Sequence, residues 1–193
     1  MDKDQVGAIE PSCYVNGALY ERLTALDRMW RDLGAPATYE IERECERLIK
    51  REARLLDDGE FELWLELFSR ECIYWIPFGR GNDPRCEVSA EFHDQRRLRD
   101  RVARLRTGAA FSQIPPTRIC HLISNIEIFT GPDSAPAARA NFVIQTSRNG
   151  VNRTLAGWCG YLFVNEHDAW KIALKQINLI DADEGQENNS FFL

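Results

Sequence analysis

Apolar residues recur at helical spacing near the start of the chain. Five of them follow one another at intervals of three or four residues, which places them on one face of a helix. Asn16 precedes this run and is a predicted N-cap, and Gly34 follows it and is a predicted C-terminal stop. The residues of this face are Leu19, Leu23, Leu26, Trp30 and Leu33.

A second helix is predicted after Pro36. Thr38 is its predicted N-cap, and Glu40 and Glu42 lie in the first turn, where the positive end of the helix dipole favours carboxylates. Gly59 is predicted to end this helix. Its apolar stripe consists of Ile41, Cys45, Leu48, Ile49, Leu55 and Leu56.

Two further helices and one strand are predicted in the middle of the chain. Residues 61–68 repeat the helical spacing, so a short helix meets the preceding one at the Asp57-Asp58-Gly59 corner. Residues 72–78 are rich in β-branched and aromatic side chains, which favours a strand. Residues 91–106 predict a helix with Leu98, Val102 and Leu105 on one side and six arginines elsewhere.

After Pro115-Pro116 the pattern changes to that of long strands. Asn149-Gly150 is a strong hairpin signal, because both central positions of a type I′ turn need a positive φ. The strands on either side of this turn are therefore predicted to be antiparallel neighbours. Helices followed by an antiparallel meander indicate the α+β class. The predicted strands are residues 118–129, 139–148, 151–166 and 170–179.

Two apolar segments of the chain require a surface on which to pack. The helix over residues 18–33 has an apolar face that packs either on its own domain or on a neighbour, and the spacing does not choose between them. Phe191-Phe192-Leu193 follows the polar segment 181–189. We expect this apolar segment to be buried.

Composition and charge exclude several classes of function. The 193 residues are 44% hydrophobic and 28% charged, as in ordinary globular proteins. The net charge of -6 argues against a nucleic-acid partner. No uncharged apolar run reaches the roughly 18 residues of a membrane span, and the first residues lack the pattern of a secretory signal. We therefore expect a cytoplasmic protein without a membrane partner.

Six cysteines are scattered along the chain, and none belongs to a CxxC pair. In a reducing compartment such cysteines are usually small buried apolar residues, so we expect no disulfide. Cys120 and His121 are neighbours on a predicted strand and point to opposite faces, so they do not both bind one iron. His93 and His167 are predicted surface histidines, and we expect no metal and no cofactor in this chain.

Several sequence blocks resemble the small (β) subunit of Rieske non-haem iron aromatic-ring-hydroxylating dioxygenases. They follow one another in the order and spacing of that family, from about residue 40 onward. The first 35 residues and residues 131–152 lack a family-specific signal. The blocks are REARLLDDG at 51–59, YWIP at 74–77, RVARLRTG at 101–108, PPTR at 115–118, HLISN at 121–125 and NSFF at 189–192.

The resemblance implies a nuclear-transport-factor-like or cystatin-like cone. In such a cone a curved, largely antiparallel sheet wraps around N-terminal helices. The order of the predicted elements independently fits an α+β protein of this shape. We expect residues 1–35 to form an N-terminal extension with one amphipathic helix, and residues 36–193 to form a single cone-shaped domain.

The resemblance also implies partners. In this family the large (α) subunit holds a Rieske [2Fe–2S] cluster and a mononuclear iron, uses electrons from NAD(P)H and inserts O₂ into an aromatic ring. The β subunit is a structural component of an oxidoreductase in aromatic-compound catabolism. We therefore expect this chain to be non-catalytic, to bind an α subunit and to associate as a trimer within an α3β3 hexamer.

An alternative reading makes the chain a stand-alone dehydratase, cyclase or isomerase of the same fold. Asp57, Tyr74 and His121 would then converge in the cone as acid, orienting group and base. The competing structural reading is that Asp57 caps the corner, Tyr74 packs and His121 fixes neighbouring loops or the partner. A third reading is a small-molecule binding module without catalysis.

Arginine is the dominant cation, with the highest density in residues 96–106. Its planar guanidinium pairs with carboxylates and is enriched in protein interfaces. We predict that Arg101, Arg104 and Arg106 contact a partner. The alternative interpretation is that these arginines lie on a solvated helix face.

Overall fold

The computed structural model describes residues 13–78, 83–184 and 191–193. In this part of the chain, helices precede a series of long strands, with short 3-10 turns at Phe111–Gln113 and Pro132–Ser134. The helices are α1 Gly17–Arg31, α2 Tyr39–Asp57, α3 Phe61–Leu65 and α4 Gln95–Arg106. The strands are β1 Phe68–Pro77, β2 Ser89–Asp94, β3 Arg118–Thr130, β4 Pro136–Arg148, β5 Val151–Glu166 and β6 Ala169–Leu179.

The strands form one curved, unclosed six-stranded sheet in the order β2-β1-β6-β5-β4-β3. All neighbouring strands are antiparallel except β1 and β6, which are parallel. The prediction of an α+β cone with a largely antiparallel sheet is confirmed.

The two faces of the sheet carry different helices. Tyr74 and Ile76 of β1 belong to the main core, into which α2, α3 and α4 also pack. Ile73 and Trp75 alternate with them and belong to a second cluster that contains α1. Because successive strand residues point to opposite faces, α1 covers the face of the sheet opposite to the other helices.

Helix α1 packs on the sheet of its own domain. Asn16 caps it as predicted, since its side-chain oxygen accepts a hydrogen bond from the Leu19 N–H at 3.2 Å. The Trp30 indole N–H donates to the side-chain oxygen of Gln176 on β6 at 2.8 Å. The first twelve residues of the predicted extension lie outside the described residues.

The predicted meander and its hairpin turn are confirmed. Asn149 and Gly150 have φ values of 50° and 80°, and the strands on either side pair from Arg148 with Val151 onward. Helix α2 is also confirmed. Thr38 occupies its N-cap position but makes no capping hydrogen bond through its side chain.

The prediction of a helix over residues 91–106 is wrong for its first four residues. Residues 89–94 form β2 instead, in which His93 pairs with Tyr74 of β1. The side chain of His93 is only 20% exposed, so the prediction of a surface histidine is wrong for His93, whereas His167 is exposed. The helix begins only at Gln95, because the carboxylate of Asp94 accepts a hydrogen bond from the Arg97 N–H at 2.8 Å and acts as the N-cap.

The strand predicted at residues 72–78 starts earlier, at Phe68, and the short helix before it ends at Leu65. None of the six cysteines, all of which lie in the described ranges, is in a disulfide, and Cys45, Cys72 and Cys159 are buried. None of the helices in the described ranges combines the length and apolar character that a membrane crossing requires.

Candidate functional site

An ion pair lies in the interior between α2 and β6. The Lys175 Nζ is 2.7 Å from the Oε1 of Glu52, and the two side chains are 2% and 1% exposed. Glu52 reaches this position because it lies on the apolar stripe of α2, between Ile49 and Leu56. A charge removed from water is tolerated only when it is paired and hydrogen-bonded, so these groups depend on each other.

Further donors complete the surroundings of this ion pair. The indole N–H of Trp64 donates to the Oε1 of Glu52 at 2.8 Å, and the hydroxyl of Tyr161 donates to the Oε2 at 3.5 Å. Burial raises the pKa of Tyr161 well above its ordinary value, so its phenol stays protonated and remains a donor. The carboxylate therefore accepts hydrogen bonds at both oxygens.

The segment 191–193 ends beside this ion pair. Lys175 Nζ donates to the main-chain oxygen of Leu193 at 2.6 Å, and the hydroxyl of Tyr74 donates to the same oxygen at 3.0 Å. The Tyr74 oxygen also accepts a hydrogen bond from the Leu193 N–H at 2.9 Å. Phe192 and Leu193 are buried, which confirms the prediction made for this apolar segment.

The aromatic ring of Phe192 is enclosed by other rings and by a cation. Its centroid lies 4.5 Å from that of Trp64, 5.7 Å from that of Phe61 and 6.1 Å from that of Tyr74. The guanidinium carbon of Arg101 lies 4.3 Å from the same ring centre. Ring and cation geometry of this kind stabilises a buried aromatic side chain beyond its area alone.

The predicted partner arginines differ in their surroundings. Arg101 pairs with Glu91 and donates to the main-chain oxygen of Phe191 at 2.7 Å. Arg106 donates to Glu62 and, at 2.8 Å, to the main-chain oxygen of Gly59.

The hydrogen bond from Arg106 lowers the pKa of the Glu62 carboxyl to about 2. Arg104 is exposed on α4, and within the described part of the chain its side chain has no ion-pair or hydrogen-bond partner.

Asp57 and His121 are in direct contact. The His121 Nδ1 is 2.6 Å from the Asp57 Oδ1, and the main-chain N–H of His121 donates to both carboxylate oxygens at 3.1 Å. The His121 side chain is 2% exposed, and its Nε2 is buried without a hydrogen-bond partner in the described ranges. Tyr74 contacts Leu193 and Trp64 instead, so two of the three predicted acid–base residues meet at this contact.

Sequence reasoning missed Glu52 and Lys175. A signal for Glu52 was present, because it lies three residues after Ile49 and four before Leu56 on an otherwise apolar helix face. Lys175 has no comparable signal, since its partner lies far away in the sequence.

The donor set does not fit an iron cluster in this chain. Burial raises the pKa of Cys45, Cys72 and Cys159 to about 12, as expected for cysteines that serve as small apolar core residues. Cys120 is exposed while His121 is held by Asp57, which separates the adjacent pair. Residues 13–78, 83–184 and 191–193 contain no group of three or more His, Cys, Asp or Glu that could hold a metal ion.

Comparison with known sequences finds a family and several relatives. The sequence model of the family described as ring hydroxylating beta subunit matches residues 51–183. The chain is 36% identical over 134 residues to the benzoate 1,2-dioxygenase subunit beta of Acinetobacter baylyi, covering 66% of this chain and 79% of that protein. It is 34% identical over 111 residues to the toluate 1,2-dioxygenase subunit beta of Pseudomonas putida, covering 54% of this chain and 67% of that protein.

Solved structures have the same fold. The beta subunit of the benzoate 1,2-dioxygenase from Burkholderia mallei superposes with a TM-score of 0.63 at 24% identity, covering 77% of this chain and 95% of that one. A chain of naphthalene 1,2-dioxygenase with indole bound in the active site gives a TM-score of 0.73 at 17% identity, covering 93% and 100%.

Proposed function

Because the family match spans more than half of the chain, the protein belongs to the ring-hydroxylating β subunits, and we propose that it is the structural β subunit of an aromatic-ring-hydroxylating dioxygenase. The match over residues 51–183 carries this proposal. The chain supports the terminal oxygenase in the catabolism of aromatic compounds, in the cytoplasm, and contributes no residue to the reaction itself.

The partner is an iron-bearing α subunit. In this proposal the α subunit supplies the Rieske [2Fe–2S] cluster and the mononuclear iron, and the reaction consumes O₂ and electrons from NAD(P)H. The described residues support this division of labour, because they contain no group of three or more His, Cys, Asp or Glu that could hold a metal ion. Three copies of each subunit form an α3β3 hexamer in which the β chains associate with one another.

Helix α4 is the proposed site of one contact with a partner subunit. The exposed guanidinium of Arg104 suits a carboxylate on the partner, because its planar fork binds carboxylates in a bidentate manner. Arg101 and Arg106 support the same surface indirectly, since their bonds to Glu91 and Glu62 hold α4 against its neighbours.

The test is co-expression with the α subunit encoded by the same organism. We expect both chains to elute together in size-exclusion chromatography, with a mass by light scattering that corresponds to α3β3. Iron analysis of the purified complex and of the isolated β chain should place the metal with the α subunit. Two folded chains that elute separately would contradict the proposal.

The contact through α4 has its own test. Arg104→Glu should weaken binding to the α subunit, because it places a carboxylate opposite the carboxylate that we propose on the partner. Arg43→Glu, at an exposed position on α2, makes the same charge change elsewhere and serves as the control. Equal binding by both variants would remove Arg104 from the proposed interface.

The contact between Asp57 and His121 favours a second candidate function. A carboxylate that orients an imidazole, whose other nitrogen has no partner in the described ranges, is an arrangement used by general bases. The chain would then act alone as a dehydratase, cyclase or isomerase. Turnover of a hydroxylated cyclic substrate by the purified chain without iron, and its loss in a folded His121→Ala variant, would support this function over the first.

A further inference from the structure

We infer that the residues enclosing Phe192 and Leu193 form a binding site for an aromatic ring that carries a carbonyl or carboxylate oxygen, and that the segment 191–193 occupies this site as an internal ligand. We name it the tail site. This inference goes beyond the proposed function, because it concerns a small molecule bound by the β chain alone. The tail site consists of Glu52, Phe61, Trp64, Tyr74, Arg101 and Lys175.

One half of the tail site recognises a ring. Trp64, Phe61 and Tyr74 surround the Phe192 ring in tilted or edge-on arrangements, and the Arg101 guanidinium lies over it. The interplanar angles to Trp64 and Tyr74 are 38° and 82°. Because aromatic rings attract each other in offset and edge-on geometries and attract cations at their faces, these groups recognise an aromatic ring by its charge distribution.

The other half recognises an oxygen. The ammonium of Lys175 and the hydroxyl of Tyr74 converge on the Leu193 oxygen at 2.6 and 3.0 Å. Glu52 balances the lysine charge and leaves the ammonium two further protons for other acceptors. A charged donor and a neutral donor aimed at one point suit a carbonyl or a carboxylate oxygen.

The way in which the segment 191–193 is held resembles a bound ligand more than a strand of the core. Within the described residues, its main-chain hydrogen bonds go to the side chains of Arg101, Tyr74 and Lys175. They do not extend any strand of the sheet. Release of the segment therefore leaves the sheet bonds intact. It exposes the buried side chains of Phe192 and Leu193 to water and leaves buried donors without partners.

A ligand that replaces both the ring and the oxygen offsets part of this penalty. The ring fills the space of Phe192, and the ligand oxygen accepts from Lys175 and Tyr74. Such a ligand competes with the segment 191–193 for the same site. A purely apolar ligand leaves the donors without an acceptor and binds more weakly.

The first experiment weakens the internal ligand. Isothermal titration of the full chain with 3-phenylpropanoate should show saturable binding. The affinity should be about ten-fold higher for Phe192→Ala than for the original protein, because a competing segment weakened by about 1.4 kcal/mol raises the affinity of the probe ten-fold. Phe129→Ala makes an equal cavity in the cluster on the opposite sheet face and should not bind the probe more tightly. If Phe192→Ala does not fold, Phe192→Leu takes its place.

Two further measurements identify the site. Tyr74→Phe also removes hydrogen bonds to Leu193 and so weakens the competing segment for every probe alike. In the Phe192→Ala background it should therefore lower the ratio of 3-phenylpropanoate affinity to propylbenzene affinity by about ten-fold, through the one hydrogen bond lost to the carboxylate. In the original protein, saturating 3-phenylpropanoate should accelerate hydrogen exchange of the Leu193 N–H, which bonds to the Tyr74 hydroxyl. Absence of binding to both Phe192 variants, or a ratio of the two probe affinities that Tyr74→Phe leaves unchanged, would overturn the inference.

Discussion

Lys175 and Glu52 form an ion pair in the interior of the protein, with 2.7 Å between the ammonium nitrogen and a carboxylate oxygen. They connect β6 with α2 across the main core. Because both side chains are almost fully removed from water, neither charge is solvated if the other is lost. The pair therefore makes the position of α2 on the sheet depend on a polar contact as well as on apolar packing.

Removal of the lysine charge should destabilise the protein strongly. Lys175→Met leaves the Glu52 carboxylate buried without its cation, and we expect the free energy of unfolding to fall by about 3–5 kcal/mol. Chemical denaturation followed by tryptophan fluorescence measures this change. Lys50→Met breaks the exposed ion pair with Glu46 and should lower the free energy of unfolding by only about 0.3–0.5 kcal/mol.

The double variant Glu52→Gln with Lys175→Met tests the same interpretation. Without a carboxylate to neutralise, it should recover part of the stability lost in Lys175→Met. A double variant whose loss of stability equals the sum of the two single losses would show that the two residues act independently.

Asp57 should contribute to stability through His121. Asp57→Ala leaves the main-chain N–H and the Nδ1 of His121 without an acceptor, so we expect the free energy of unfolding to fall by about 1–3 kcal/mol. The neighbouring Asp58 is exposed, and Asp58→Ala provides the control in the same denaturation experiment. Equal losses in the two variants would mean that the contact with His121 adds nothing to stability.

Gly160 should be required for the packing of α1. A Cβ at this position would lie 2.6 Å from the Trp30 ring, so Gly160→Ala should cost about 1–3 kcal/mol of unfolding free energy and change the near-ultraviolet circular dichroism. Gly17 has no heavy atom within 4 Å of the corresponding position, and Gly17→Ala should be tolerated. An unaltered spectrum of the Gly160 variant would contradict the observed approach of Trp30 to β5.

His93 should make the protein less stable in mild acid. Burial, reinforced by the positive charges of Arg101 and Arg97 and opposed by Asp94, lowers the His93 pKa from 6.5 to about 4. Between these values the unfolded chain binds a proton that the folded chain does not. The stability that depends on a neutral His93 is therefore fully present above pH 6.5 and is lost as the pH falls towards about 4.

Substitution of His93 should remove this dependence. His93→Gln is expected to flatten the fall of unfolding free energy between pH 6.5 and about 4, measured by urea denaturation. His167→Gln, in the exposed turn between β5 and β6, is the matched control. Glu91 lies 3.7 Å from the His93 ring, and its raised pKa acts in the opposite sense, so only the difference between variant and original protein reports on His93.

Local patterns predicted the elements whose signals lie within a few residues. The spacing of Leu23, Leu26 and Trp30 identified α1 and its buried face. The same spacing does not predict which surface packs on this face. The packing depends on Gly160 and Gln176, which lie far along the chain. Strand β2 was missed because its six residues adjoin a helix of stronger periodicity.

The candidate site was predicted only in part, for the same physical reason. Asp57 and His121 were grouped correctly because a helix end and an early strand position were expected to meet in a cone. The partners of Tyr74 and Lys175 are decided by the path of the chain around residue 193, which local spacing does not describe. The family blocks contain Asp57, Tyr74 and His121 without revealing their contacts.

The parallel pairing of β1 with β6 has a consequence for the order of folding. Between these two strands the chain forms β2, α4, β3, β4 and β5. During synthesis β1 can pair with β2 early, but its other edge has no partner until β6 has left the ribosome. Native topology of this high contact order folds slowly, and the nascent amino-terminal half exposes an open strand edge that favours chaperone binding in the cell.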